Sequence, residues 1–242
     1  MEVIVLGCNG PYPASYGATA GYLVRTGEGF VMMDMGSGVF ARIGKLCKPE
    51  NIAAVTISHL HFDHFSDMGV FNYYLESLAK AGKFQGRIPC YVPPVAEDVA
   101  QLERMYPYFR FVGVKEGGMY EFAGLQAEFS RLNHGVPNYG VRLTEKSSGR
   151  RLVYSGDTNE CPALGRLLRE CDLWLGGAPL IGKEYKGAGG HLSAEKMKDL
   201  VIKYDLKAVL THLWPVHTER EYEDAVFDDR VQIAKAFKSY QV

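Results

Sequence analysis

The 242-residue chain carries 27 Lys and Arg against 28 Asp and Glu, a formal net charge of −1, which argues against a dedicated nucleic-acid binder built on a basic surplus. Its composition, 47% hydrophobic and 23% charged, is that of an ordinary globular enzyme, and we expect one domain over residues 1–242. Five scattered cysteines (Cys8, Cys47, Cys90, Cys161, Cys171) include no Cys-x-x-Cys pair, so neither a disulfide framework nor a thiolate zinc site is expected.

In chain order, short strands are expected at residues 3–6, 21–25 and 30–34, punctuated by Gly7-Cys8-Asn9-Gly10-Pro11 and Gly27-Glu28-Gly29. With no charged leader ahead of the first strand and no apolar run of membrane-spanning length, we expect a cytoplasmic protein without a membrane partner. Residues 52–58 read as a buried strand because they are rich in apolar and β-branched side chains. Met68, Phe71, Leu75 and Leu78 recur at helical spacing. A strand over 88–92 is followed by a helix from Pro93-Pro94, with Val95, Val99 and Leu102 on one face. Residues 109–114, 125–132, 139–143 and 151–155 read as a second strand cluster, followed by a helix over 163–170 and a strand over 173–175. Ser193 is placed to cap a helix with Met197, Leu200, Val201 and Tyr204 on its inner face. Residues 208–211 read as the last strand and 222–240 as a closing helix. Two strand sets, each followed by helices, predict two packed sheets with helices outside. Arg142, Lys146, Arg150 and Arg151 lie close in sequence and read as a solvated hairpin.

The chemistry concentrates in Ser58-His59-Leu60-His61-Phe62-Asp63-His64. Histidines two apart on an extended chain point to one side, so His59 and His61 can grip one metal ion, while Asp63 and His64 follow where the chain turns into a helix. Imidazole nitrogen and carboxylate oxygen are ligands for zinc, and manganese also accepts them. The alternative, four buried polar side chains with purely structural roles, would require a partner for each. His134, Asp157 and His212 each follow the end of a predicted strand, where loops can present them to a shared cleft. Singly, each reads as a satisfied turn or core residue. Together they supply further ligands. Cys8 could approach the cleft but defaults to a small buried thiol. His217 is expected at the surface, Trp214 and Tyr139 are expected to wall the pocket or pack the core, and Gly187-Ala188-Gly189-Gly190 reads as a hinge or a turn.

The motifs, from Asp34 in Met33-Asp34-Met35-Gly36 through His59-x-His61-x-Asp63-His64, His134, Asp157 and His212, resemble the metallo-β-lactamase superfamily. The resemblance implies an α/β fold, the four-layer αββα sandwich. It implies two divalent ions, zinc before manganese: one held by His59, His61 and His134, the other by Asp63, His64 and His212, with Asp157 bridging. Asp34 would be a buried structural residue. His191, in Gly189-Gly190-His191-Leu192-Ser193, resembles a leaving-group-assisting histidine of the phosphodiesterase branch, which includes ribonuclease Z (RNase Z). The segments around His134 and Asp157 resemble RNase Z as well. That enzyme's long tRNA-holding arm would fall between them, and this chain has no room for it. The implied activity is therefore hydrolysis of a small or cyclic phosphodiester through a hydroxide bridging the ions, with Asp63 and His191 as catalytic residues. RNA is a less favoured substrate, and an RNase Z-like ribonuclease or an acyl-homoserine lactonase is the alternative. The resemblance also implies a homodimer.

Overall fold

The computed structural model describes residues 1–182 and 190–242. Among these, one sheet is built from β1 (Glu2–Gly7), β2 (Gly21–Thr26), β3 (Gly29–Met33), β4 (Ile52–Thr56), β5 (Ile88–Val92), β6 (Phe109–Gly113) and, from the chain's far end, β14 (Ser239–Gln241). The other holds β7 (Met119–Phe122), β8 (Leu125–Leu132), β9 (Asn138–Glu145), β10 (Arg151–Tyr154), β11 (Leu173–Gly177), β12 (Lys207–Thr211) and β13 (Val231–Ile233). The longer helices are α3 (Met68–Lys80), α4 (Ala96–Met105), α5 (Pro162–Leu168), α6 (Ala194–Tyr204) and α7 (Glu219–Val226); α1 (Phe40–Ile43) and α2 (Phe62–Phe65) are single turns.

The two sheets share one plan. In the first, β1-β2-β3 form an antiparallel meander and β3 to β6 run parallel. In the second, β7 to β10 are antiparallel and β10 to β13 parallel. Alternation along each strand explains the layering. Val3 and Val5 of β1 face the second sheet, packing with Tyr22, Leu143, Leu175 and Val209, whereas Ile4 and Leu6 face outward onto a cluster with Phe71 and Leu75 of α3. On β12, Val209 joins the inter-sheet core and Leu210 packs with Leu164 of α5 and Met197 of α6. Strands buried on both faces read as continuous apolar runs, which is why their positions could be predicted. The result is an α/β sandwich with helices outside two mixed sheets.

Several expectations need correction. Residues 109–113 do not join the second strand cluster; β6 pairs in parallel with β5 at the edge of the first sheet. The segment 222–240 is not one helix. A capping box at Thr218 and Glu221 starts α7 earlier, and the helix stops at Phe227, whose φ is 23°. The chain then adds β13 and returns to pair β14 with β1. β7 went unpredicted because it is a half-exposed edge strand with no apolar run. Ser193 does cap α6, its hydroxyl accepting from the Lys196 amide at 3.2 Å.

Candidate metal centre

The chemistry-bearing residues follow the carboxyl ends of five strands. Asp34 follows β3, Ser58 to His64 follow β4, His134 follows β8, Asp157 follows β10 and His212 follows β12. Loops at strand ends can carry side chains to a common point that the sheets hold rigid. All seven expected ligands meet there: ligand atoms of His59, His61 and His134 lie within 4.8 Å of one another, as do those of Asp63, His64, Asp157 and His212.

Outer partners fix which ring nitrogen faces inward. Asp34 is fully buried and accepts from the Ser58 amide at 2.7 Å, the Ser58 hydroxyl at 2.8 Å and the Tyr154 hydroxyl. His64 Nδ1 donates to the same carboxylate at 2.7 Å, and His59 Nδ1 pairs with the Ser58 hydroxyl at 3.0 Å. His134 Nδ1 donates to the Gly190 carbonyl at 3.0 Å. With Nδ1 engaged, each of these rings turns Nε2 toward the centre, as a carboxylate, hydroxyl or carbonyl behind a ligating histidine does. His61 presents Nδ1 instead, 3.0 Å from His59 Nε2 and 3.3 Å from His134 Nε2.

These separations fit a cation. Tetrahedral zinc with bonds of about 2.0–2.1 Å holds its nitrogens about 3.3 Å apart. In the second group, His212 Nε2 is 3.0 Å from Asp63 Oδ2 and 3.1 Å from Asp157 Oδ2, and His64 Nε2 is 3.4 Å from both carboxylates. Asp157 Oδ2 also lies 3.8 Å from His59 Nε2, so this carboxylate reaches both groups. His64 Nε2 and Asp157 Oδ1 are buried without a hydrogen-bond partner, a costly arrangement unless a ligand satisfies them.

The electrostatics divide the site in two. Burial, reinforced by neighbouring imidazoles, lowers the pKa of His59 and His61 and keeps these rings neutral, with a free lone pair to donate. Around the carboxylates the balance reverses. Burial works against protonation of His212, but Asp157 and Asp63 raise its pKa to about 9, and Asp157 and Asp34 raise that of His64. Burial likewise opposes ionisation of Asp63 and Asp157, yet the facing histidines hold both below the usual carboxylate range. The Asp63–Asp157 group favours positive charge, which a divalent ion would supply.

His191 is drawn to the same place. Its ring is 5.1 Å from that of His134 and 5.4 Å from that of His212, and its Nδ1 is 3.7 Å from Asp157 Oδ2. Burial lowers its pKa to about 4. The expected hinge at Gly187–Gly189 lies outside the described residues. Gly190 is described; its φ is +76°, and a Cβ there would meet His134 Nδ1 at 2.7 Å. Sequence reasoning missed Gly10, where a Cβ would meet the His212 ring at 2.1 Å; the only sequence signal was the Asn9-Gly10-Pro11 turn.

The other singled-out residues stand apart from the centre. Cys8 Sγ donates to the Ala234 carbonyl at 3.6 Å and packs against the inter-sheet core. Tyr139 is part of that core. His217 is half-buried against the rings of Trp214 and Tyr222 rather than free at the surface.

Comparison with known proteins agrees with this geometry. A profile of the beta-lactamase superfamily domain matches residues 31–217. The chain belongs to the metallo-β-lactamase superfamily. It is 25% identical to the "Probable metallo-hydrolase YhfI" of Bacillus subtilis (strain 168) over 98% of both chains. The crystal structure of that metallo-beta-lactamase fold protein superposes with a TM-score of 0.88 over 99% of this chain and 98% of the other, at 23% identity. A ribonuclease Z of Protochlamydia amoebophila is 31% identical over 64% of this chain and 53% of its own length, in keeping with the RNase Z-like resemblance of the sequence. The structure of a diphosphatase from the PhnP family has a TM-score of 0.75 at 17% identity, over 99% of this chain and 96% of the other. The protein is accordingly a metal-dependent hydrolase.

Proposed function

We propose that the protein is a dinuclear phosphodiesterase acting on a small or cyclic phosphodiester. His59, His61 and His134 would hold one ion and Asp63, His64 and His212 the other, with Asp157 shared. The imidazole-rich donor set favours zinc, and the two carboxylates leave manganese open. Bound divalent ions supply Lewis acidity, lowering the pKa of a water and stabilising charge on phosphoryl oxygens. The chain's own residues do the rest. Asp34, Ser58 and the Gly190 carbonyl hold the ligand rings in one tautomer, and Asp63 and Asp157 balance the cationic charge.

The observation that carries the reading is the placement of His191, whose ring touches a ligand of each group (His134 and His212) while being a ligand of neither in the proposed set. A neutral imidazole there can donate its N–H as a hydrogen bond to a leaving oxygen and stabilise the negative charge that develops on it. The test is turnover of bis(p-nitrophenyl) phosphate by protein loaded with zinc or manganese, with His191→Ala alongside. For an alkoxide leaving group, as in the dinucleotide ApA run beside it, the expected loss in kcat is about 10²- to 10³-fold with two ions per chain retained. The loss is smaller for p-nitrophenolate, which leaves readily as the anion. Efficient lactone opening with every phosphodiester left intact would replace this reading with the lactonase one.

A further inference from the structure

The basic cluster Arg142, Lys146, Arg150 and Arg151, read from the sequence as a solvated hairpin, is neutralised in the fold. Arg142 pairs with Glu128 at 3.0 Å, Lys146 with Glu121 at 2.6 Å and Arg150 with Asp172 at 2.6 Å, and Arg151 pairs with Glu170. Positive charge that is only partly compensated lies elsewhere, beside the metal centre. A cavity of about 410 Å³ opens between the end of β8 and the start of α5, with His134 in its wall and Arg131 and Arg166 on its flanks. It shares Cys161, Pro162 and Arg166 with a second depression of about 590 Å³, which adds Arg169 and Lys203. Among the described residues, neither Arg131 nor Arg169 has a carboxylate within ion-pair distance. Arg166 has Glu116, at 3.6 Å and exposed, whose other carboxylate oxygen accepts from the Arg131 backbone amide and leaves the Arg131 guanidinium without an ion pair. The one carboxylate lining these depressions, Glu160, is taken by Lys196 at 2.7 Å and Lys203 at 3.6 Å.

The placement is built rather than incidental. Arg142 spends its guanidinium on the end of α5, donating to the carbonyls of Arg166 at 2.6 Å and Leu167 at 2.8 Å. That anchors the turn carrying Arg166 and Arg169. Arg131 is three residues before His134, on the rigid β8–β9 hairpin. Planar guanidinium forks suit a phosphate, which they can grip bidentately. That of Arg131 has no ion pair among the described residues, and that of Arg166 has one long, exposed contact that a phosphate can displace.

We propose that this groove binds a second phosphate of the substrate, with Arg131 and Arg166 as its specificity-determining residues. The inference rests on the phosphodiesterase reading and sharpens it. The preferred substrate is a phosphodiester that carries another phosphate next to the scissile one, such as a short phosphorylated oligonucleotide, rather than a lone cyclic monophosphate.

The dinucleotide ApA and its 5′- and 3′-phosphorylated forms share one scissile linkage and differ only in the added phosphate. One phosphorylated form should show a KM about 10- to 100-fold below that of ApA, the range expected for charge-assisted hydrogen bonds, and the preference should shrink as salt rises. The double variant Arg131→Ala/Arg166→Ala should bring the KM ratio to about one. Lys146→Ala removes the same charge from the neutralised patch and should leave the ratio intact. Equal KM values for all three dinucleotides, with bis(p-nitrophenyl) phosphate still hydrolysed, would overturn the groove assignment and leave the phosphodiesterase reading standing. Should no phosphodiester be cleaved, that reading falls and calorimetric binding decides the groove on its own. Adenosine 3′,5′-bisphosphate binding that adenosine lacks, and that the double variant loses, would support an anion site; no such difference would refute it.

Discussion

Gly10→Ala isolates the geometric reasoning with a single methyl group. The φ of Gly10 lies outside the left-handed range, so no left-handed strain opposes alanine there. The new Cβ, however, would sit 2.1 Å from His212 Cε1, 2.2 Å from Nε2 and 2.4 Å from Nδ1. Restoring an ordinary contact of 3.4 Å requires the ring or the turn to move by about 1.3 Å. The ring has little room, being stacked between His64 at 5.2 Å and His191 at 5.4 Å. Nor can the turn move alone, because the Gly10 amide donates to the Leu213 carbonyl and the Leu213 amide to the Cys8 carbonyl. A metal–ligand bond tolerates about 0.2 Å of error, so the shift is several times too large for His212 to stay a ligand. We expect the affinity for the second ion to fall by at least about 10- to 100-fold, the cost of losing even an outer partner. Phosphodiester turnover should fall with it. Metal titration followed by elemental analysis checks this, with Gly27→Ala as control, since no atom lies within 4 Å of a Cβ there. A folded Gly10→Ala protein with unchanged affinity for both ions would refute the placement of His212.

Asp34→Asn should be among the most destabilising single-atom changes in the chain. Four donors converge on the carboxylate, and an amide would turn N–H groups toward some of them, for a loss of about 3–5 kcal/mol. Urea unfolding measures it, and a loss under about 1 kcal/mol would show that the network is not what holds Ser58 and His64. Stability should also fall on the alkaline side. Burial raises Cys8 to about 11 and Cys171 to about 12, from 9.0 for both thiols, so the folded state keeps these protons more tightly than the unfolded chain. Their contribution, each on the order of a few kcal/mol, is complete below pH 9 and lost as pH rises through 11 to 12. Cys171→Ala should lower the plateau through lost packing but flatten the decline between pH 9 and 12. An unchanged slope in that window would refute the assignment.

The parts of this molecule that could be read from sequence are those whose information is local. The strand 52–58 and the motif after it announce themselves because burial on both faces demands an unbroken apolar run and because alternate histidines share a side. The errors fall where information is long-range. Residues 109–113 look the same whether they join one sheet or the other, and only pairing with β5 decides it. β13 and β14 are three residues each, too short for a periodic signal, and their position is set by edges that neighbouring strands leave open. The same distinction runs through the site. Residue types and spacing reveal which side chains can bind metal, but not which nitrogen of each ring faces inward. That is fixed by Ser58, Asp34 and the Gly190 carbonyl, from segments 24 to 156 residues apart in sequence. Asp34 and His212 hold left-handed backbone, at φ 55° and 58°, a conformation that costs a non-glycine residue about 1 kcal/mol or more. Both sit where a strand ends and its chain must turn sharply into the cleft, and both are then locked by burial. The strain marks the two points at which the sheets are bent to serve the centre: one to aim His64 through a carboxylate, the other to bring His212 against Asp63 and Asp157.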